Sequence, residues 1–511
     1  MVTSWIPDAA LSWVPAIMLL ISLGTAVAIF PMREQQERLR AVVNLIGAVA
    51  KLLLVISLVP LVVRADVQPE FAMPFLPGVD LVLRVDSMAI FFAGLSALLW
   101  LLTTIYAIGY MRSRTHRSRF FGFFSLCVTA TVGISFSGNL ITFLVFYELL
   151  TLVTYPLVAH YGNPASLRAA RVYLRYALTG GLAVLIGVVW LTIYAGQVDF
   201  APGGADGVTS LAAQSPVIAI IIFALLVGGM GVKAAIVPLH GWLPKAMVAP
   251  APVSALLHAV AVVKAGVFGI IRVIDDVYGI EVARELGVLT PLLVLAAITI
   301  VFGSVKALSQ KDLKARLAYS TVSQVSYVTL GISLATVTGT TGGIVHLVHQ
   351  GITKITLFFA AGLFADVLGA KTIDQLEGAG RRMPWTSLAF TIGAFGMIGL
   401  PPTAGFVSKW QLGLGALESP HPWVVGVLLT SSLLNAMYFL PVVYRIWLLP
   451  APDVDPDDLV HPASDRLREP RLLMLPAMFT ATLALVAGFA ASADFMPLYV
   501  ARQIATAVFD R

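Results

Sequence analysis

One stretch decides how this chain is read: VGGMGVKAAIVPLHGWLPKA, Val227–Ala246. It lies in a long apolar segment, yet it carries Lys233 in the middle and Pro238 and Pro244 soon after. A helix crossing a bilayer excludes charge and satisfies its backbone internally. This segment does neither. Irregular backbone at membrane depth is tolerated where it lines a cavity within the protein. The stretch therefore predicts a membrane helix broken beside a buried cation.

Working outward, the composition agrees. The 511 residues are 58% hydrophobic and 12% charged, where a soluble chain carries about a quarter charged residues. Apolar windows fall at 10–30, 41–63, 87–110, 120–138, 140–160, 173–195, 216–238, 253–273, 286–307, 317–336, 342–367, 386–415, 423–447 and 472–491. Most are near the roughly 20 residues that cross a bilayer as a helix, and a β-barrel would show shorter alternating segments. The expected fold is an all-α, polytopic membrane protein of about 14 transmembrane helices. The start, MVTSWIPDAALSWVPAIMLL, lacks a basic leader region and reads as the approach to a first membrane helix. The longest polar loop, Pro450–Pro470, is rich in proline and mixed in charge, and no extramembrane domain is expected.

The net charge of +6 is explained by arginine and lysine in cytoplasmic loops, so no nucleic-acid partner is expected. Arg33, Arg38, Arg40, Arg112, Arg114, Arg117, Arg119, Arg168, Arg171, Lys245, Lys311, Lys314, Arg381, Arg382, Arg466 and Arg468 fall on one side. Asp66, Glu70, Asp80, Asp199, Asp206, Asp275, Asp276 and Glu281 fall on the other, with few cations. The basic side is assigned to the cytoplasm and both termini to the outside of a cell membrane. The single cysteine, Cys127, excludes an internal disulfide framework and a four-cysteine metal or iron–sulfur site. It reads as a packing residue.

A repeat is also visible. GMGVKAAIVPLHGWLPKA lies over GAFGMIGLPPTAGFVSKW at one offset, pairing Gly229 with Gly393, Pro238 with Pro402, Gly241 with Gly405 and Lys245 with Lys409. VYLRYALTGG (172–181) lies more weakly over VHLVHQGITK (345–354). Residues 1–511 are therefore read as one transmembrane domain: 1–115 for helices 1–3, 116–275 for a first repeat of helices 4–8, 286–447 for a second of helices 9–13, and 472–511 for helix 14 and the tail. Five helices is an odd number, so the second repeat is inverted. Helices 7 and 12 are the expected broken pair, at Pro238 and Gly241 and at Pro401, Pro402 and Gly405. Inverted repeats with corresponding breaks point to an ion or substrate path.

Ionisable residues at helix centres cost about 2.5–3.5 kcal/mol each on insertion scales. Here Glu148, Lys233, His258, Lys264, His346, His349, Lys354 and Lys409 all fall within apolar runs. A lone lysine is accounted for by snorkelling or a packing ion pair. Four lysines with a glutamate and three histidines are the composition of a proton relay. Burial opposes a lysine's charged form and a neighbouring carboxylate favours it, so Glu148 is the natural partner that switches Lys233. Arginine would not serve, since it stays charged. Lys51 lies outside both halves and is assigned to snorkelling or a subunit contact, Lys245 to the cytoplasmic end of its helix, and Tyr147, Tyr155 and Tyr173 to packing.

With these residues in place, VPLHGWLPKAMVAPAPVSALLHA (Val237–Ala259) resembles the signature of the antiporter-like proton-translocating subunits of respiratory complex I, Mrp-type cation/proton antiporters and membrane-bound hydrogenases. The resemblance runs over almost the whole chain. It implies a central hydrophilic axis whose members match Glu148, Lys233, Lys264 with His258, and Lys409. FYELLTLVTYPLVAHYG looks most like the D-type subunit of Mrp antiporters, and Lys409 fits that type and the N-type complex I pattern. Two departures stand out. The family's His-x-x-x-His is here His346 followed by Gln350, with His349 shifted by one, and its WLPDA is WLPKA, so an acid is lost at the cytoplasmic entrance.

The resulting expectation is a subunit that translocates H+, with Na+ as a second candidate cargo, in a multisubunit cation/proton antiporter. It would sit in the lipid bilayer with other membrane subunits, with no catalytic centre, metal site or cofactor of its own. The alternatives are the proton-pumping membrane subunit of a complex I-like NADH-quinone oxidoreductase or membrane-bound hydrogenase, a subunit of an inorganic-carbon uptake complex, and a purely structural membrane subunit.

Overall fold

In hydrocarbon every backbone N–H and C=O must find its partner within the protein, and a helix does this locally. The computed structural model describes residues 11–451 and 466–510; the first residues of the expected leading span, most of the polar loop within Pro450–Pro470 and the last residue lie outside them. The chain is built of helices: α1 Val14–Ile29, α2 Glu37–Ala65, α3 Ser87–Tyr110, α4 Arg117–Phe136, α5 Leu140–Val158, α6 Pro164–Ala195, α7 Asp206–Gln214, α8 Pro216–Lys233, α9 Ala251–Ala259 and α10 Val262–Arg272. They continue as α11 Leu289–Leu308, α12 Leu313–Ser333, α13 Val337–Val367, α14 Pro384–Ile398, α15 Ala404–Glu418, α16 Val424–Leu448, α17 Arg471–Phe489 and α18 Pro497–Phe509. Short turns fill the gaps. Polar caps start several of them: Asp86, Asn139, Asn163 and Asp312 accept the N–H groups of Ala89, Thr142, Ser166 and Ala315 at 2.7–2.8 Å.

Among the described residues, eleven helices are long and apolar enough to cross a membrane, counting Ala251–Tyr278 as one. Val14–Ile29 and Pro384–Ile398 are apolar but shorter. α12, with its many serines and threonines, is long but more polar. Two helices lie wholly inside the bundle, Ala251–Tyr278 and Val337–Val367, whereas α2, α6, α16 and α17 turn most of their surface outward. The interior pair carries His258, Lys264, His346, His349 and Lys354.

One element departs from the all-helical expectation. β1 Glu70–Leu76 and β2 Val79–Arg84 form an antiparallel hairpin turned at Gly78, which has φ +75°. It packs on the start of α5, where the Val82 N–H donates to Thr142 Oγ1 at 2.8 Å and the Gly138 N–H to Val82 O at 2.8 Å.

Both expected breaks are present. α8 ends at Lys233, and the chain passes Ala235 (φ +58°) and a cis Val237–Pro238 bond before winding again. α14 ends at Ile398, followed by Gly399 (φ +89°) and a cis Pro401–Pro402 bond. A third break was not expected. Val260 and Ala261 leave helical geometry between α9 and α10, so the helix of His258 and Lys264 is itself interrupted between them. No proline or glycine marks that site.

The Arg272 end of this interrupted helix corrects the loop assignment of Asp275 and Asp276. Both are buried in a π-helical segment, Val273–Tyr278. Arg272 bridges Asp276 at 2.7 Å and Asp86 at 2.8 Å. The N–H groups of Ala201, Gly203 and Ala205 donate to the carbonyls of Asp276, Asp275 and Val277 at 3.0–3.2 Å.

Helices α6 and α8 cross where Gly180 meets Gly229. A Cβ on Gly180 would stand 2.8 Å from Gly229 O, and one on Gly229 2.5 Å from Gly180 O, while Gly228 has nothing within 4 Å. Small residues are what allow two membrane helices to approach this closely. Gly229→Leu is therefore expected to destabilise the assembled protein by about 1–3 kcal/mol, the usual cost of overpacking. Gly228→Leu is expected to change stability by less than about 0.5 kcal/mol. Thermal unfolding of the two variants in the same detergent checks the contrast; equal losses would overturn it.

Candidate proton-relay site

A break frees carbonyls that the helix no longer bonds. At the first break, Trp242 returns to donate its indole N–H to Val232 O at 2.8 Å. Lys233, the last residue of α8, donates to the backbone carbonyl of Tyr147, and its Nζ stands 3.2 Å from the centre of the Tyr147 ring. Tyr147 is thus a partner of the lysine as well as a packing residue. Its hydroxyl also donates to Gly229 O at 3.3 Å.

Glu148 is a neighbour of Lys233 in electrostatic reach, but among the described residues the two form no ion pair. Glu148 Oε1 is buried with no hydrogen-bond partner. Its carboxylate presses on Gly181, where any side chain would overlap it. The expected pair is therefore adjacent but unbonded.

From Lys233 the site passes to α10. Gly266 lets that helix lie on the first break, because a Cβ there would stand 2.8 Å from Lys233 C and closer still to Ala234 N. Lys264 is fully buried and its ammonium has no hydrogen-bond partner. His258, across the third break, has neither ring nitrogen bonded and packs on the Phe358 ring at 4.7 Å. Gly351 of α13 faces this break, with a would-be Cβ 3.0 Å from Ala259 O.

On α13, Lys354 donates to Ser320 Oγ and to Leu317 O. Lys354 is within electrostatic reach of Lys264 and of His258. His346 Nδ1 bonds Ser408 Oγ at 2.8 Å, and its ring stacks on Tyr327 at 5.1 Å. Lys264, Lys409 and His349 all lie in electrostatic reach of His346. His349 is fully buried with neither nitrogen bonded, and both ends of the Gln350 amide are likewise without partners.

Lys409 lies beyond the second break, yet its ammonium reaches back across it. It donates to Met397 O at 3.0 Å, Ile398 O at 2.8 Å and Ser432 Oγ at 3.0 Å, and stands 5.4 Å from the Tyr327 ring. Gly399 makes room, since a Cβ there would stand 2.7 Å from Lys409 Cδ. Gly405 does the same for the half-helices, lying directly against Gly396 O. The sequence overlay pairs Lys409 with Lys245. In space Lys409 is the lysine beside the second break, as Lys233 is beside the first, but it places its ammonium on the carbonyl end of a half-helix, where the helix dipole favours it, whereas Lys233 reaches to Tyr147 O on α5. Lys245 instead is exposed and lines a cleft of about 770 Å³ with Arg168, Lys314 and Lys371. Lys314 also donates to Ala249 O at 3.0 Å, and it is in electrostatic reach of His258.

Sequence reasoning missed Tyr327, Ser408 and Lys314 as members of this site. The adjacency of Ser408 to Lys409 is the only signal the sequence offers for them. The assignment of Lys51 to snorkelling or to a subunit contact is corrected: it is fully buried, bonded to Ser22 Oγ at 2.6 Å.

Comparison with known proteins bears on this arrangement. Residues 137–435 match the family described as NADH:quinone oxidoreductase/Mrp antiporter, TM, and residues 78–121 match NADH-Ubiquinone oxidoreductase (complex I), chain 5 N-terminus. The chain is similar to NADH-quinone oxidoreductase subunit N of Desulforudis audaxviator, 36% identical over 78% of each chain. It is similar to a probable K(+)/H(+) antiporter subunit of Rhizobium meliloti, 32% identical over 78% of this chain and 39% of the relative. Against this and other relatives, such as hydrogenase-4 component B of Escherichia coli, the chain spans only about half the length or less. Its fold is similar to a chain of the Mrp complex from Dietzia sp., with TM-score 0.83 and 23% identity over 98% of both chains. A chain of the membrane-bound sulfane sulfur reductase, an archaeal respiratory complex, matches with TM-score 0.82 and 24% identity over 97% of both. A family match over more than half of the residues, with 36% identity to a relative over 78% of the chain, shows that this chain belongs to the NADH:quinone oxidoreductase and Mrp antiporter transmembrane subunits.

Proposed function

We propose that this chain carries protons across the membrane as one subunit of a multisubunit cation/proton antiporter of the Mrp type. The observation that carries the reading is a run of titratable side chains in the interior: buried Lys264 and His346, with His258 and Lys354 beside them, on the two interior helices, flanked by buried Lys233 and half-buried Glu148 at the first break and by half-buried Lys409 at the second. The cleft at Lys245 and Lys314 is the inlet, and His258 with Lys354 leads from it to Lys264. From Lys264 the proton passes by His346 to Lys409. Glu148 is the switch: moving toward Lys233 it holds the lysine's proton, and moving away it releases it. His349 sits beside this route as a reserve acceptor.

α1, α12 and the α14–α15 pair supply three further crossings, for 14 in all, arranged as inverted halves 116–275 and 286–447. The helix ends of α8 and α14, each followed by a break at proline with a lysine nearby, support that symmetry. The arginine-rich ends face the cytoplasm, both termini face outward, and Na+ is a second candidate cargo. The resemblance to the NADH-quinone oxidoreductase relative favours one other reading, a complex I-like assembly in which redox chemistry elsewhere drives the same relay. Purifying the chain with its neighbours separates the two, because iron–sulfur subunits accompany only the redox-driven complex.

Glu148→Ala is expected to leave the complex assembled, since Lys233 keeps its hold on Tyr147, and to abolish proton uptake in inverted vesicles. Normal uptake by an assembled variant would remove Glu148 from the mechanism. Lys409→Arg keeps donors for the Met397 and Ile398 carbonyls but stays charged at working pH. It is expected to assemble and to be inactive, whereas Lys409→Glu, titratable but unable to donate to those carbonyls, retains partial activity. Full uptake with arginine would reduce Lys409 to a fixed charge. Orientation is tested at Ser113: a cysteine there should resist an impermeant reagent applied from outside intact cells.

A further inference from the structure

The relay uses none of the polar groups in the first four helices, yet these form a buried seam of their own. On α2, Arg40, Asn44 and Lys51 fall on one face and are all buried. Gly47 lies between them and brings α1 close: a Cβ there would stand 3.3 Å from Thr25 Cβ and overlap its hydroxyl. Arg40 donates to Ser118 Oγ at 2.7 Å, and Asn44 Nδ2 to Arg40 O at 2.9 Å. Ser125 donates to Asn44 Oδ1 at 3.4 Å, and Thr129, one turn on, lies 2.9 Å from Ser22 Oγ. Ser22 Oγ then accepts from Lys51 Nζ at 2.6 Å. Beyond Lys51 the same face is apolar, with Val55, Leu58 and Val62. The seam therefore has one open end. That end meets a surface cleft of about 190 Å³ lined by Arg38, Arg40, Arg112 and Arg117.

Lys51 is an unusual terminus. Its polar partners among the described residues are a neutral hydroxyl and the Trp100 ring, whose centre is 5.2 Å from Nζ. Trp100 Nε1, and the hydroxyls of Ser96 and Thr104 one turn to either side on α3, are buried without hydrogen-bond partners. Orphaned donors and acceptors in a close-packed interior are costly unless the site holds something that satisfies them.

The remaining charges stand away from it. α1 carries no ionisable residue. On α3, Tyr106 bonds Phe359 O and Tyr110 stacks under Arg114, while Asp86 at the far cap is taken by Arg272. On α4, Cys127 faces Thr154, Arg119 bonds His160 O, and Arg117 engages Glu34 and Glu37 at the mouth. On α2 itself, Arg38 is at the mouth and Arg64 pairs Asp494 at the opposite end. A metal cation in the seam would meet Arg40 and Lys51, and the nearest carboxylates, Glu34 and Glu37, are held by Arg117 at the mouth. A proton needs only a base that can take it.

We infer that Lys51 is a second proton-binding site, reached from the Arg40 end of the bundle and separate from the central relay. An amide such as Asn44 does not hand on protons, so the seam acts as a polar lining along which water brings them, and Lys51 alternates between ammonium and amine at its closed end. This protonation does not depend on what the chain transports.

Trp100 reports the state of Lys51, because an ammonium over the indole alters its emission and an amine does not. In the purified complex, emission is titrated from about pH 6 to pH 10, a range that spans shifted lysines. The wild type should show a titrating component that is missing in both Trp100→Phe and Lys51→Met. Absence of that component, or its persistence in Lys51→Met, would overturn the site whatever the chain transports. In the same titration Lys51→Arg keeps a cation over the ring that does not dissociate at working pH, so its emission should stay flat across the range. A titrating component in Lys51→Arg would overturn the inference. Wild-type emission behaviour with no proton uptake by any form would instead overturn the proposed function and leave the site standing.

Discussion

Everything at the centre of this protein depends on how carbonyls freed by a broken helix are satisfied where no bulk water reaches them. Such a group left bare in hydrocarbon costs several kcal/mol. At the second break the donor is Lys409, bonding Met397 O and Ile398 O. At the first it is Trp242, bonding Val232 O, with Lys233 closing the same half-helix. At the second break, then, the same bonds that satisfy the carbonyls hold an ammonium at membrane depth, while at the first Lys233 reaches past the break to Tyr147 O on α5. Among the described residues neither ammonium is locked in an ion pair, and Glu148 stands near Lys233 without bonding it.

The second constraint is closeness. Buried lysines at about 2.5–3.5 kcal/mol each are a heavy load for a chain whose net stability is of the order of 10 kcal/mol. They are tolerable because the helices bearing them are packed until nothing else fits. Gly266 seats α10 against the first break, Gly351 seats α13 against the third, and Gly405 seats α15 against Gly396. Each of these glycines stands where a methyl group would collide with backbone. The interior helices are therefore positioned by backbone contact, which does not repack as side chains do. The titratable groups inherit that fixed spacing.

The sequence made the architecture legible where its chemistry is discontinuous. Pro238, Pro401 and Pro402 cannot continue a helix, and charges such as Lys233 and Lys264 cannot hide in an apolar run, so both breaks and the buried set were visible. What was not visible has a physical reason in each case. The break at Val260–Ala261 uses residues with no special backbone preference, and only tertiary packing imposes it. Lys409 falls opposite Lys245 because an overlay compares positions along the chain, while a long flexible side chain delivers its charge a turn or more away. Asp275 and Asp276 looked like loop acids because two adjacent carboxylates normally seek water; Arg272 and the wrapping strand of 201–205 bring them inside. Lys51 looked peripheral because its neighbours Leu53 and Ile56 face outward, and the polar seam that receives it is spread over three other helices.

The stitching at the Arg272 end of the interrupted helix has a mechanical meaning. Arg272 is clamped between Asp86 and Asp276, and three backbone bonds from residues 201–205 tie down the segment just beyond. Breaking a buried, paired charge of this kind costs about 3–5 kcal/mol, more than thermal motion supplies. The helix is then moored at that end, and Lys264, on the moored side of Val260–Ala261, keeps its place against α8. On the other side Gly351 holds the turn at Ala259 against α13. His258 and Lys264 are therefore neighbours along one chain whose positions are set by two different anchorages, one steric and one ionic.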